Sequence, residues 1–98
     1  GLQLCSRADN PIADFSFNNT CLGTTTLFHD SSKLIVGQVV QWDWDYGDGG
    51  TGNYFESSHY YQDVGSYNVK LVATSNFGCK DSTFRTVVIT QPDELLLK

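Results

Sequence analysis

The chain has 98 residues, room for one domain, and a domain of that size buries roughly two-thirds of the surface its unfolded chain exposes. Two packed layers fit within that limit, with little left for a deep enclosed pocket. Eleven Asp and Glu stand against six scattered Lys and Arg, and the net charge of −5 gives no footprint for a phosphate backbone or an anionic membrane surface, so neither nucleic-acid binding nor membrane docking is expected.

Aromatic and β-branched residues are common and helix formers such as Ala, Met and Glu are scarce, which favours strands. Residues 1–10 have no period and read as a lead-in. From Pro11 a strand pattern sets Ile12, Asp14 and Ser16 against Ala13, Phe15 and Phe17. Residues 18–23 carry turn chemistry. Residues 24–29 read as a strand with Thr26 and Phe28 on one face, followed by a loop from Asp30 that Gly37 helps to close. The strongest strand comes next. Val40, Trp42, Trp44 and Tyr46 share one parity; Val39, Gln41, Asp43 and Asp45 share the other. Residues 47–52 hold four glycines in six positions and read as a turn. Residues 54–61 mix aromatic and polar side chains and suit a short strand ending near His59. Over 66–75, Tyr67, Val69, Leu71 and Ala73 face one way, and Asn76-Phe77-Gly78 then turns the chain into a last strand over 81–89. Residues 91–98 break the pattern and read as a linker. No apolar run approaches the ~20 residues of a membrane span. There is no signal-peptide pattern, and a start at Gly1 rather than Met is expected of a piece of a longer chain.

Short strands separated by turn signals predict an all-β, immunoglobulin-like β-sandwich of about seven antiparallel strands. Asp63-x-Gly65-x-Tyr67-x-Val69 has the spacing of a tyrosine corner, with Val69 where antibody domains carry a cysteine. Trp44 or Trp42 supplies the tryptophan expected on the central strand.

Two further stretches carry a family resemblance. WDYGDG at 44–49 and SHYYQDVGSYNVKL at 58–71 are similar to the signature of the PKD (polycystic-kidney-disease-type) domain, W-D-F-G-D-G, then H-x-Y, then G-x-Y-x-V-x-L. ADFSF at 13–17, TTTLFHDSS at 24–32 and VVIT at 87–90 resemble its first, second and last strands, so the likeness spans residues 11–90. Within it, Trp42, Trp44, Tyr46, Gly47, Asp48, Gly49, His59, Gly65 and Tyr67 are the fold motif, with Tyr46 in place of the commoner Phe. Cys21-Leu22-Gly23 and the sequence from Gly78 to Ser82 look like bacterial PKD repeats of secreted or cell-surface proteins. The resemblance implies an extracellular, non-catalytic module, monomeric in isolation and without a cofactor. Its partners would be neighbouring domains of the same chain, with polysaccharide or surface proteins as further candidates. It also implies a Cys21–Cys79 bridge. A simple sandwich topology, however, puts those two turns at opposite ends, beyond the ~7 Å Cα limit of a disulfide, and brings Cys5 nearer Cys79, so Cys5–Cys79 stays open.

Three clusters invite a chemical reading. Asp43, Asp45 and Asp48 could hold calcium, but counting from Asp43 an EF-hand loop would need a ligand at Gly47 and Glu at Tyr54. A structural reading explains them better: Asp43 and Asp45 on the outer strand face, Asp48 in the turn. His29 and His59 have neighbouring serines and aspartates, yet sequence neighbours on a strand point to opposite faces and no GxSxG elbow is present, so no enzyme is expected. His59 matches the H-x-Y position of the PKD signature, and the resemblance implies that it bonds to the turn after the tryptophan strand. Tyr54, Phe55, Tyr60 and Tyr61 cannot all point inward; Tyr54 and Tyr60 fall on one side, Phe55 and Tyr61 on the other, and the outward pair could stack on sugar rings or a protein partner.

Overall fold

Alternation places one face of each strand against a shared core, and seven strands do this in the computed structural model, which describes Cys5 and residues 10–91. The strands are β1 Phe15–Asn18, β2 Thr26–Asp30, β3 Val39–Asp45, β4 Thr51–Gly52, β5 Glu56–His59, β6 Gly65–Ser75 and β7 Lys80–Ile89. They form two antiparallel sheets, β1-β2-β5 and β4-β3-β6-β7, with no helix among the described residues. This is the expected immunoglobulin-like sandwich. The lead-in over 1–10 and the linker over 91–98 lie outside the described residues, apart from Cys5, Asn10 and Gln91.

The core is built from Phe15, Phe28, Trp44, Tyr46, Tyr61, Val69, Leu71, Val87 and Ile89. Trp44 meets Phe15 edge-on at 5.1 Å and Phe28 at 5.5 Å, which carries the tryptophan of one sheet onto the phenylalanines of the other. Such pairs each contribute about 0.5–1.5 kcal/mol beyond the area they bury. The indole N–H of Trp44 donates to the Tyr54 carbonyl at 2.7 Å. The tyrosine corner is present: the Tyr67 hydroxyl donates to the Asp63 carbonyl at 2.7 Å.

Four local expectations differ from the fold. The first strand begins at Phe15 instead of Pro11, because the Ala13 and Asp14 amides donate to the side chains of Asp81 and Ser32 instead of to a neighbouring strand. Val40 leaves the tryptophan face and is 49% exposed, since the β3–β6 register shifts between Val39 and Gln41. Thr51 and Gly52, read as turn, form β4 against Asp45 and Trp44.

The fourth difference is the disulfide. Cys79 pairs with Cys5 at a Cα separation of 5.7 Å, and Cys21 is free and exposed. Cys21 forms a parallel bridge with Thr90, eleven residues beyond Cys79, and an extended strand of that length spans about 36 Å. The Cys21–Cys79 pairing is therefore corrected to Cys5–Cys79: β7 holds the two implied partners at opposite ends of the sandwich.

Removing the corner hydroxyl isolates one bond. Tyr67→Phe is expected to lower stability by about 1 kcal/mol in urea unfolding with an unchanged m-value. An unaltered midpoint would show that the corner contributes nothing.

Candidate functional site

The densest set of polar and aromatic groups lies where β3 ends. The Tyr46 amide donates to the Gly50 carbonyl at 3.0 Å and closes a turn. Gly47 and Gly49 take φ of 87° and 98° there, conformations that side-chain-bearing residues rarely adopt. Aspartates cap it from both sides. The Gly47 amide donates to Asp45 Oδ1 and the Gly50 amide to Asp48 Oδ1, each at 3.0 Å. Asp48 Oδ2 meets His59 Nε2 at 2.7 Å, the contact expected between His59 and this turn.

Aromatic rings enclose that pair. The imidazole of His59 stacks on Tyr46 at 4.4 Å and 13°, and meets Tyr61 at 4.7 Å and 82°. The Tyr61 hydroxyl donates to the Tyr46 carbonyl at 2.7 Å, and the Tyr46 hydroxyl is hydrogen-bonded to Ser57. Gly50 is needed for close approach, since a Cβ there would lie 2.5 Å from His59 Cε1. The result is a knot. It joins the turn after β3, in one sheet, to the end of β5, in the other.

The titration of these groups follows from their surroundings. Burial pushes the Tyr46 phenol up, opposed by its Ser57 hydrogen bond. Burial likewise raises Tyr61, reinforced by the Asp48 charge. For Asp48, burial alone would raise the carboxyl, but the hydrogen bonds from His59 and Gly50 outweigh it and hold the group below its ordinary value.

The three aspartates do not gather. Asp43 accepts from Gln41 Nε2 at 3.0 Å on the outer face of β3, Asp45 caps the turn, and Asp48 faces His59. Among the described residues no three His, Cys, Asp or Glu side chains converge as metal ligands would. Among the described residues neither imidazole is hydrogen-bonded to a serine: His59 pairs with Asp48 at 2.7 Å and His29 faces Glu56 at 3.3 Å.

The four aromatics divide into the two pairs that alternation gives, Tyr54 with Tyr60 and Phe55 with Tyr61. Tyr54 and Tyr60 are 58% and 45% exposed, as expected of the outward pair. Tyr61 is 1% exposed and belongs to the core, and Phe55 is half-buried, 5.8 Å from the ring of Trp42. Tyr61 is therefore corrected from ligand contact to core, since its hydroxyl must pair inside the knot. The whole of β5 lies between Tyr54 and Tyr60, so they form no common platform. Sequence reasoning missed an open groove of about 500 Å³ over the outer face of β1-β2-β5, where Ser16, Leu27, His29 and Glu56 meet. The cross-strand register Ser16↔His29↔Glu56 makes it, and no motif announces it.

The sequence pattern of the PKD domain family matches residues 8–90, over the same strands and knot. The chain is a PKD domain. The PKD1 domain of Vibrio anguillarum Epp superposes with a TM-score of 0.79 at 28% identity, covering 85% of this chain and 96% of that one. Collagenase ColA of Clostridium perfringens is 40% identical over 47 residues, 48% of this chain and 4% of that protein. A solved structure of carbohydrate-binding modules from the β-sandwich superfamily aligns with a TM-score of 0.79 at 27% identity, over 88% of this PKD domain and 36% of that chain. The chain spans only 4–9% of the length of the curated relatives it matches, bacterial collagenases and a metalloprotease, so the PKD domain corresponds to one module of much larger proteins.

The lowered Asp48 carboxyl gives stability that is complete above the ordinary value of 3.8 and is lost as pH falls through the folded value. The PKD domain carrying Asp48→Asn is expected to be less stable than wild type at neutral pH and to converge with it in acid. The Arg85 hydrogen bond lowers Asp14 in both proteins, so the difference between their acid unfolding curves isolates Asp48. A constant difference down to the lowest pH would contradict the assignment.

Proposed function

We propose that this PKD domain is a non-catalytic spacer or adhesion module of a larger secreted or cell-surface bacterial protein. The observation that carries this reading is the knot: the domain's Asp–His pair and its tyrosine hydroxyls bond to one another and to the turn, so these groups hold the two sheets together. The small share of each relative that the chain represents supports a modular role, and a disulfide suits an oxidising, extracellular setting. Its partners are the neighbouring domains of its own chain. The module works without a metal, because each of the three motif aspartates already has a donor within the fold.

A second reading has its own support. Tyr54 presents its ring to solvent against Phe55 at 4.4 Å, and an exposed aromatic of this kind can stack on a sugar ring or a protein substrate such as collagen. The domain would then be an accessory binder beside a secreted hydrolase.

Sedimentation with insoluble cellulose, chitin and collagen separates the two. The spacer reading expects the domain to stay in the supernatant with and without Tyr54→Ala; retention that this variant abolishes would establish the accessory binder instead. The melting temperature is expected to be the same in calcium and in chelator, and a rise with calcium would overturn the metal-free account.

A further inference from the structure

The two half-cystines lie at unequal places along the fold. Cys5 precedes all seven strands, and Cys79 is the residue before β7, the last of them, 74 positions later. Strands β1 to β6 and their connections therefore sit inside a covalently closed loop. Among the described residues, what lies beyond the loop is β7, the Thr90–Cys21 bridge and Gln91. β7 is an edge strand in register with β6 from Lys80 to Ile89, so it is already extended from one end of the sandwich to the other.

Tension on the two ends of such a chain follows the shortest covalent path. It enters ahead of Cys5, crosses the disulfide to Cys79 and runs along β7 to Gln91. We propose that the Cys5–Cys79 bridge makes this domain an inextensible link, in which β7 alone bears load and the other six strands are shielded from it. From Cys79 to Gln91 there are 91 − 79 = 12 residue steps, at most about 42 Å when fully stretched, and a β-strand of that length already spans about 40 Å. The domain can therefore lengthen by only a few ångströms (about one residue's rise) whatever happens to its core. Without the bridge, 91 − 5 = 86 steps become available, and unfolding releases about 260 Å beyond the folded span. Contacts on both flanks keep the shielded sandwich attached to the loaded strand: Arg85 Nε donates to the Phe15 carbonyl and the Ala13 amide to Asp81, each at 2.8 Å, and the Thr90 amide donates to the Thr20 carbonyl at 3.0 Å. The inference sharpens the spacer reading but rests on covalent topology alone, so its failure would leave that reading standing.

Optical-tweezers stretching of the full chain tests it. With handles on terminal tags, the oxidised protein is expected to show no unfolding step longer than a few ångströms, and Cys5→Ser to release about 260 Å. A second geometry, a handle on the free thiol of Cys21 and one on the C-terminal tag, needs no variant to fold. There the path is 21 − 5 = 16 steps to the bridge and 12 along β7, so the oxidised protein is expected to release about 90 Å. A release near 260 Å from the termini of the oxidised protein, or near 240 Å from Cys21, would overturn the proposal.

Discussion

Trp44 and Tyr46 must be buried together, and most of the domain follows from that constraint. The rings, one on β3 and one on the residue that follows it, extend across the gap between the sheets, Trp44 onto Phe15 and Phe28, Tyr46 onto Phe28 at 5.2 Å and His59. Each also carries a polar atom that is costly to bury unpaired. The indole N–H finds the Tyr54 carbonyl and the phenol finds Ser57, both on the segment that leads into or forms β5. The path from β3 to β5 is thus dictated by two hydrogen bonds as much as by packing. It has to turn at once after Tyr46, and the glycines at 47, 49 and 50 permit it.

The same economy governs the boundary of the sandwich. A long edge strand such as β7 invites pairing with another chain, and proteins discourage this with charges at the edge. Arg85 reaches from β7 to Asp14 and the Phe15 carbonyl, and Asp81 receives the Ala13 amide, so the chain entering β1 is fastened along that edge by side chains. The disulfide holds the hairpin end of β7 and the Thr90–Cys21 bridge its far end. A domain placed in series with others thus receives its chain at one end and passes it on at the other.

The parts legible in the sequence are those where period and side-chain chemistry point the same way. Trp44 and Tyr46 inward with Asp43 and Asp45 outward and the Tyr67 corner are read from spacing, and His59 bonded to the turn after β3 from the family resemblance. The illegible parts depend on a partner distant in sequence. Nothing around Val40 announces the bulge, because the shift is set by the register with β6. The cysteine spacings alone permit several pairings; sandwich topology sets Cys21 and Cys79 at opposite ends, and the ten-residue length of β7 decides for Cys5. Phe55 and Tyr61 look as available as Tyr54 and Tyr60 until the positions of Trp42 and Tyr46 on another strand are known. We read the cluster that resembles a chemical site as the structural element that seals the core: Asp45 and Asp48 accept from backbone amides of the turn, and Asp48 pairs with His59.

A double-mutant cycle between Asp48 and His59, read as unfolding free energy at neutral pH with no metal or ligand added, tests that claim most directly. Asp48→Asn, His59→Gln and the double variant are expected to show a coupling energy on the order of 1 kcal/mol, the signature of two residues whose contact supports the fold. Additive effects, with each single variant as stable as wild type, would contradict it and return the motif to the status of a site awaiting a ligand.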